Sequence, residues 1–165
     1  MPYTPILGVL GYVLSPNAEQ VLLIHRLGRA DDLHLGKYNG LGGKVEPGED
    51  VVAAMRRELL EEAGIEADAL QLRGTVSWPG FGVGGEDWFG FLFRIDQFHG
   101  TIAESNPEGV LEWVPLARLL AYELPIWEGD RYFLPLVFDP KVSQFHGVLP
   151  YHDGRPTGWS YSVCD

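Results

Sequence analysis

Cysteine is nearly missing from this chain: Cys164 is the single one among 165 residues. One thiol beside the C-terminus excludes an internal disulfide and a cysteine-built zinc cluster, and it fits a reducing cytosol. Positive charge is also scarce. Twelve Lys and Arg stand against 23 Asp and Glu, for a net charge of −11 at pH 7. A surface that holds a nucleic-acid polymer is normally basic, so that class of partner is set aside. A small nucleotide arriving with divalent metal is not. No apolar run reaches the length that crosses a bilayer, so no membrane partner is expected. The opening MPYTPILGVLGYVL lacks a basic start and carries Pro2 and Pro5, so it reads as a strand, not a signal peptide. There is no internal repeat and no low-complexity linker. The length suits one domain, residues 1–165, with a proper core. The expected location is cytoplasmic.

What is present centres on residues 43–65, GKVEPGEDVVAAMRRELLEEAGI. Pro47-Gly48 makes a turn. Asp50 can cap a helix whose body is VVAAMRRELLEEA, and Gly64 can end it in a left-handed conformation. On that helix Glu58, Glu61 and Glu62 are related by i, i+3 and i+4, so their carboxylates share one face. Val52, Met55, Leu59 and nearby Ala63 form an apolar stripe that can pack on a sheet. Like charges on one face are unfavourable unless a cation sits among them. Clustered hard oxygens suit magnesium or manganese, not zinc. Arg57 can reach back to Glu49 and hold the Gly43 loop against the helix. The competing reading is a solvated acidic helix face.

Taken in order, Ile6 to Leu14 reads as a buried strand, and Gln20 to Arg26 as its hairpin partner. Arg29 to Lys37 is polar and reads as a loop. Tyr38-Asn39-Gly40-Leu41-Gly42-Gly43 follows, with glycines that let backbone approach metal or phosphate. Strands are expected over Leu70 to Trp78, Trp88 to Ile95 and Val110 to Val114. Pro79 to Asp87 is a glycine-rich hairpin loop. It lacks a Lys-Ser/Thr ending and precedes a strand, so it is not a phosphate cradle. Pro115 to Leu120 reads as a short helix, and Asp130 to Phe138 as a second main helix, with Pro135 arguing against it. Phe145 to Tyr151 and Trp159 to Val163 form a hairpin around residues 152–156. The order implies an α/β fold, a mixed sheet with helices on both faces.

The spacing Gly43-x5-Glu49-x7-Arg57-Glu58-Leu59-x-Glu61-Glu62-x-Gly64-Ile65 resembles the signature box of the Nudix hydrolases, with every specified position filled. The resemblance implies an α/β/α sandwich and Mg²⁺-dependent hydrolysis of a nucleoside diphosphate linked to some group X, with Mn²⁺ as an alternative. It also implies that Glu58, Glu61, Glu62 and the Gly43 carbonyl hold the metal. A later acid often joins them. Glu104 and Glu108 are available, and Glu108 stands at the family's distance from Trp113. Arg57 and Glu49 belong to the same catalytic set. Glu61, Glu62 or Glu108 is the expected general base.

YNGLGGKV, GTIAES, LPIWEGDRYFLPLV and QFHG look like the 8-oxo-dGTP diphosphatase subgroup. That likeness implies that Asn39 reads the base and Trp127 stacks on it. Trp78 looks like an opposing aromatic wall. The subgroup's acidic pair is half present here: Gly129 is followed by Asp130, with Glu128 as a possible substitute. Lys44 and Arg26 are expected at phosphate oxygens, with surface charge as the other reading. Trp78 and Trp127 also read as core, Asn39 as a turn residue, and Asp130 as a helix cap. The alternative substrates are nucleotide sugars, ADP-ribose, dinucleoside polyphosphates or general NTPs. A non-catalytic nucleotide-binding module would be expected to have lost box carboxylates, and none is missing.

Overall fold

The computed structural model describes residues 1–164. Strand β1 (Ile6–Leu14) turns back into β2 (Gln20–His25). Two short strands, β3 (Tyr38–Asn39) and β4 (Leu41–Lys44), lead into helix α1 (Val51–Ala63). Long strands β5 (Glu66–Trp78) and β6 (Trp88–His99) follow as a hairpin. Then come β7 (Ser105–Asn106), β8 (Gly109–Pro115), α2 (Leu116–Leu120) and α3 (Asp130–Phe138). The chain ends with β9 (Gln144–Val148), a small ribbon of β10 (Tyr151–His152) and β11 (Arg155–Pro156), and β12 (Ser160–Cys164).

The main sheet runs β12-β9-β5-β6-β1-β2-β8-β7, with β4 paired to β1 and β3 to β2. Two pairings, β1 with β6 and β5 with β9, are parallel, and the others are antiparallel, so the sheet is mixed. Its central strands read as continuous apolar runs because both faces are covered. Alternate residues serve opposite layers. Val9, Val13, Leu22, Ile24, Phe93 and Ile95 pack beneath α1 with Met55 and Leu59. Tyr12, Leu14, Val21, Leu23 and Leu92 pack on the other face with Phe133, Leu134 and Val137 of α3. The expected α/β/α sandwich is the fold.

Cap chemistry sets α1. Asp50 accepts from the Ala53 N–H at 2.9 Å, and Gly64 sits at φ 71°. The helix lies close on β1 because Gly11 has no side chain there; a Cβ would press on Met55. Pro135 is inside α3 after all. A proline at that position frees the carbonyl four residues back, and the Tyr122 hydroxyl donates to that Arg131 carbonyl at 3.1 Å.

Other expectations need correction. β5 begins four residues earlier than expected and β6 ends four later, because Glu66–Ala69 and Gln97–His99 extend the hairpin as a bulged, largely exposed ribbon that alternation does not reveal. Asp130 does not cap α3: Gly129 holds that place and no side chain bonds the helix end. The terminal hairpin is β9 with β12, and the β10–β11 ribbon is inserted between them.

A buried cation fastens the far end of α3. Arg73 is 3% exposed, and its guanidinium donates to the carbonyls of Val137, Leu136, Asp139, Val142 and Ser143. The return from α3 into β9 is thus satisfied from inside the sheet.

Candidate active site

A cleft of about 940 Å³ opens beside β1, between the box and α3. It has a carboxylate lobe and an aromatic lobe.

The carboxylate lobe is built mostly locally, by α1 and the strand that precedes it, with Glu108 added from the β7–β8 turn. Arg57 is its cross-brace. Nε and Nη2 grip both Glu49 oxygens at 2.6 and 2.9 Å, and Nη2 also donates to the Lys44 carbonyl at 3.0 Å. Nη1 donates to Glu58 at 2.8 Å and Glu61 at 3.3 Å. One side chain therefore ties the turn, β4 and the helix together. Glu49 lies outside the cleft lining and serves as the anchor of Arg57. Hydrogen bonds from Arg57 hold its carboxyl down at about 2.

The three helix carboxylates differ in setting. Glu58 is 9% exposed, and its oxygens fill the space a Cβ on Gly43 would need. Burial raises its pKa against the pull of Arg57. Glu61 stands in solvent. Glu62 is half-buried and accepts from the Gly42 N–H at 3.3 Å. Burial, then the charges of Glu108 and Glu58, push its carboxyl up to about 9. Glu108 arrives from the β7–β8 turn, where Asn106 accepts from its N–H at 2.8 Å. Its carboxylate meets Arg26 and Arg29, each at 3.4 Å. Glu104 does not line the cleft.

These donors suit a hard cation. Glu62 is crowded by two other carboxylates and has a single N–H as partner, and a divalent ion relieves that repulsion. Among the described residues no three carboxylates form a closed cage, and the arginines hold Glu58, Glu61 and Glu108.

The aromatic lobe is assembled from distant segments. Trp78 ends β5, and its ring lies over Gly90, where a Cβ would overlap it. Phe81, from the glycine-rich loop, meets Trp127 edge-on at 4.9 Å and Tyr151 at 5.0 Å. Trp127 is 7% exposed, with the Lys37 ammonium 4.8 Å above its ring. It belongs to the core and lines the cleft at once. Asn39, on β3, and Asp130, at the start of α3, line the same lobe. Burial pushes the Asp130 carboxyl up to about 8, against the pull of Lys37.

One expectation changes here. Glu128 is exposed and outside the cleft, so it does not replace a missing acid. Position 129 cannot carry one: a Cβ on Gly129 would run into the Tyr151 hydroxyl, which accepts the Gly129 N–H at 3.0 Å. Arg26 lines the cleft but is held by Asp32 at 2.7 Å. Lys44 lies at the mouth, 5.7 Å from the Trp88 ring.

His34, Phe81, Trp88 and Tyr12 line the cleft without having been singled out. Phe81 had a signal, as an aromatic in a glycine loop. His34 had none, since its partner Trp127 is 93 positions away.

The NUDIX domain family matches residues 4–137. The chain belongs to the Nudix hydrolases. Curated relatives are the oxidized purine nucleoside triphosphate hydrolase of Mus musculus, 36% identical over 128 residues and 78% of each chain, and that of Danio rerio, 36% identical over 120 residues, 72% of this chain and 73% of the relative. Among solved structures, the MutT protein of Bacillus halodurans superposes with a TM-score of 0.78 at 28% identity, covering 96% of this chain and 97% of that one. This Nudix hydrolase is a pyrophosphohydrolase for a nucleotide or nucleotide derivative, and the family implies a divalent cofactor, commonly Mg²⁺. No helix among the described residues is long and apolar enough to cross a membrane.

Proposed function

We propose that this chain, acting as one domain over residues 1–165, hydrolyses purine nucleoside triphosphates with an oxidised base, such as 8-oxo-dGTP, to monophosphate and pyrophosphate. The carrying observation is the single cleft that joins the box carboxylates to an aromatic slot with Asn39 and Asp130 on its wall. The names of the mouse and zebrafish relatives support the same reading. The setting is nucleotide-pool sanitation in the cytoplasm.

In this reading Glu58, Glu61, Glu62, Glu108 and the Gly43 carbonyl hold the divalent ions. Bound Mg²⁺ or Mn²⁺ supplies neutralisation of the phosphate charge and a lowered pKa for the attacking water. Arg57 keeps Glu58 aimed into the cleft by gripping Glu49 behind it. Glu62 takes the proton from the water; Glu61 and Glu108 are the other carboxylates within the lobe. Lys44 and Arg26 meet phosphate oxygens. Trp78 and Trp127 flank the purine, and Asn39 and Asp130 bond its edge. Oxidation at C8 turns N7 from acceptor to donor; the Asp130 carboxyl accepts from it, and discriminates fully only once ionised, since in its protonated form it can also donate to an unoxidised N7. A slot of aromatics alone would not discriminate, because base identity comes from hydrogen bonds left unmade by the wrong base.

A second reading has one observation behind it. Tyr151 denies position 129 an acid, so half of the acidic pair is replaced by a hydroxyl. That favours a Nudix pyrophosphatase for another nucleoside diphosphate derivative, such as a nucleotide sugar, ADP-ribose or dinucleoside polyphosphate.

Release of monophosphate and pyrophosphate, followed with Mg²⁺ at mildly alkaline pH, separates the two. The panel is 8-oxo-dGTP, dGTP, 2-hydroxy-dATP, dATP, ADP-ribose, a UDP-sugar and a diadenosine polyphosphate. A kcat/KM for 8-oxo-dGTP about tenfold above dGTP, roughly 1.4 kcal/mol, supports the first reading. A sugar or dinucleotide in the lead supports the second.

A further inference from the structure

The segment between β2 and β3 carries a histidine that the box chemistry does not use. Asp32 shapes the segment: its Oδ1 accepts the His34 N–H at 3.0 Å and its Oδ2 takes Arg26 Nε at 2.7 Å. Gly36 donates to the Arg26 carbonyl at 2.7 Å, and Lys37 to the His34 carbonyl at 2.9 Å. The His34 ring is thereby held over the aromatic lobe, where it lines the cleft 5.9 Å from Phe81.

Its Nδ1 lies 2.7 Å from Trp127 Nε1. An indole N–H only donates, so Nδ1 must accept and carries no proton. In the neutral ring the proton then sits on Nε2, which becomes a donor. Among the described residues no protein group is bonded to Nε2, and it is not a buried orphan, so it is open to solvent on a residue that lines the cleft. Burial, then the charge of Arg26, hold the imidazole down at about 4, which keeps this arrangement through the neutral range.

We infer that His34 is a specificity residue: its Nε2–H donates to an oxo group on the purine ring and opposes an amino group there. The inference rests on the purine-nucleotide reading above and deepens it. Tyr151 fills the place where a second acid would stand, so the base edge needs another polar contact. His34 supplies one of opposite sense, a donor rather than an acceptor. An amino group facing it sets donor against donor, and neither finds a partner in the closed slot. Trp127 contributes twice, as a wall and as the group that selects the tautomer.

The test compares dITP with dATP, which differ at C6 as oxo against amino. The wild-type enzyme should favour dITP in kcat/KM by about tenfold or more. In His34→Asn the amide oxygen can still accept from Trp127, but no donor reaches as far as Nε2. The preference should collapse toward one, through a raised KM for dITP and a lowered KM for dATP as the opposing donor is removed. A second measurement needs no variant. In the ¹⁵N-labelled wild type, dIMP should perturb the protonated Nε2 of His34, and dAMP should not. If His34→Asn slows both substrates by the same factor, or if dIMP leaves Nε2 untouched, His34 merely fastens Trp127 and the proposal is wrong. If the wild type hydrolyses no purine nucleoside triphosphate at all, the underlying substrate reading falls with it.

Discussion

The two lobes of the cleft are built on opposite plans. The carboxylate lobe is mostly local: Gly43, Glu49, Arg57, Glu58 and Glu62 lie within 20 positions of chain, Arg57 braces Glu49, Glu58 and the Lys44 carbonyl, and Glu108 joins from the β7–β8 turn. The aromatic lobe draws His34, Trp78, Phe81, Trp127, Asp130 and Tyr151 from across the molecule. In the first, strong charge-assisted bonds set position. In the second, ring edges and a few neutral hydrogen bonds do. The difference suggests that turnover is governed in one lobe and substrate choice in the other, and each can be perturbed alone.

The largest effect is expected from Glu62→Gln. Loss of the proton acceptor should lower kcat by about 10²- to 10⁴-fold, while the affinity for the monophosphate product, measured by calorimetry, stays near wild type. Removing the divalent ion with a chelator should likewise stop turnover and leave monophosphate affinity largely intact. A comparable loss of binding in either experiment would mean the lobes are not separable.

Tyr151→Phe attacks the other lobe. It leaves the buried Gly129 N–H without its acceptor, at about 1–3 kcal/mol of stability. Chemical denaturation should show that loss. KM for purine nucleotides should rise while kcat stays near wild type. A fall in kcat alone would contradict the division.

Asp130 gives the most specific effect, one confined to pH dependence. Burial takes its carboxyl from 3.8 to about 8, so the folded state binds this proton more tightly than the unfolded chain. The contribution of Asp130 to stability is therefore fullest below about pH 4 and is lost as pH rises through about 8, at no more than about 1.4 kcal/mol per pH unit. Lys37 moderates this, and Tyr12 and Tyr151 stand beside it. Asp130→Asn should flatten the thermal midpoint between pH 5 and 8 (roughly the span of the shift) and remove any limb in KM near pH 8. An unchanged slope would mean that the carboxyl is not held protonated.

The same contrast explains what could be read without coordinates. The bounds of α1 were legible because Asp50 and Gly64 act within a single turn. The bidentate partner of Arg57 was legible from spacing for the same reason. Strands β3, β4 and β7 were not, being two to four residues long and glycine-rich or polar. They exist because β1, β2 and β8 offer free edges. Asn39, Trp78, Trp127 and Asp130 were pointed out by resemblance and do line one cleft. The occupation of position 129 by Tyr151 was invisible, since nothing near Gly129 in the sequence refers to a tyrosine 22 residues later.

That hydroxyl has an evolutionary consequence. An ancestor or descendant with a second acid at position 129 cannot be reached from this chain by one substitution, because the new side chain would collide with Tyr151. The tyrosine must shrink or swing away too, and by itself that step strands a buried N–H. Whichever of the two changes comes first, the chain between the two kinds of pocket is therefore less stable than either end.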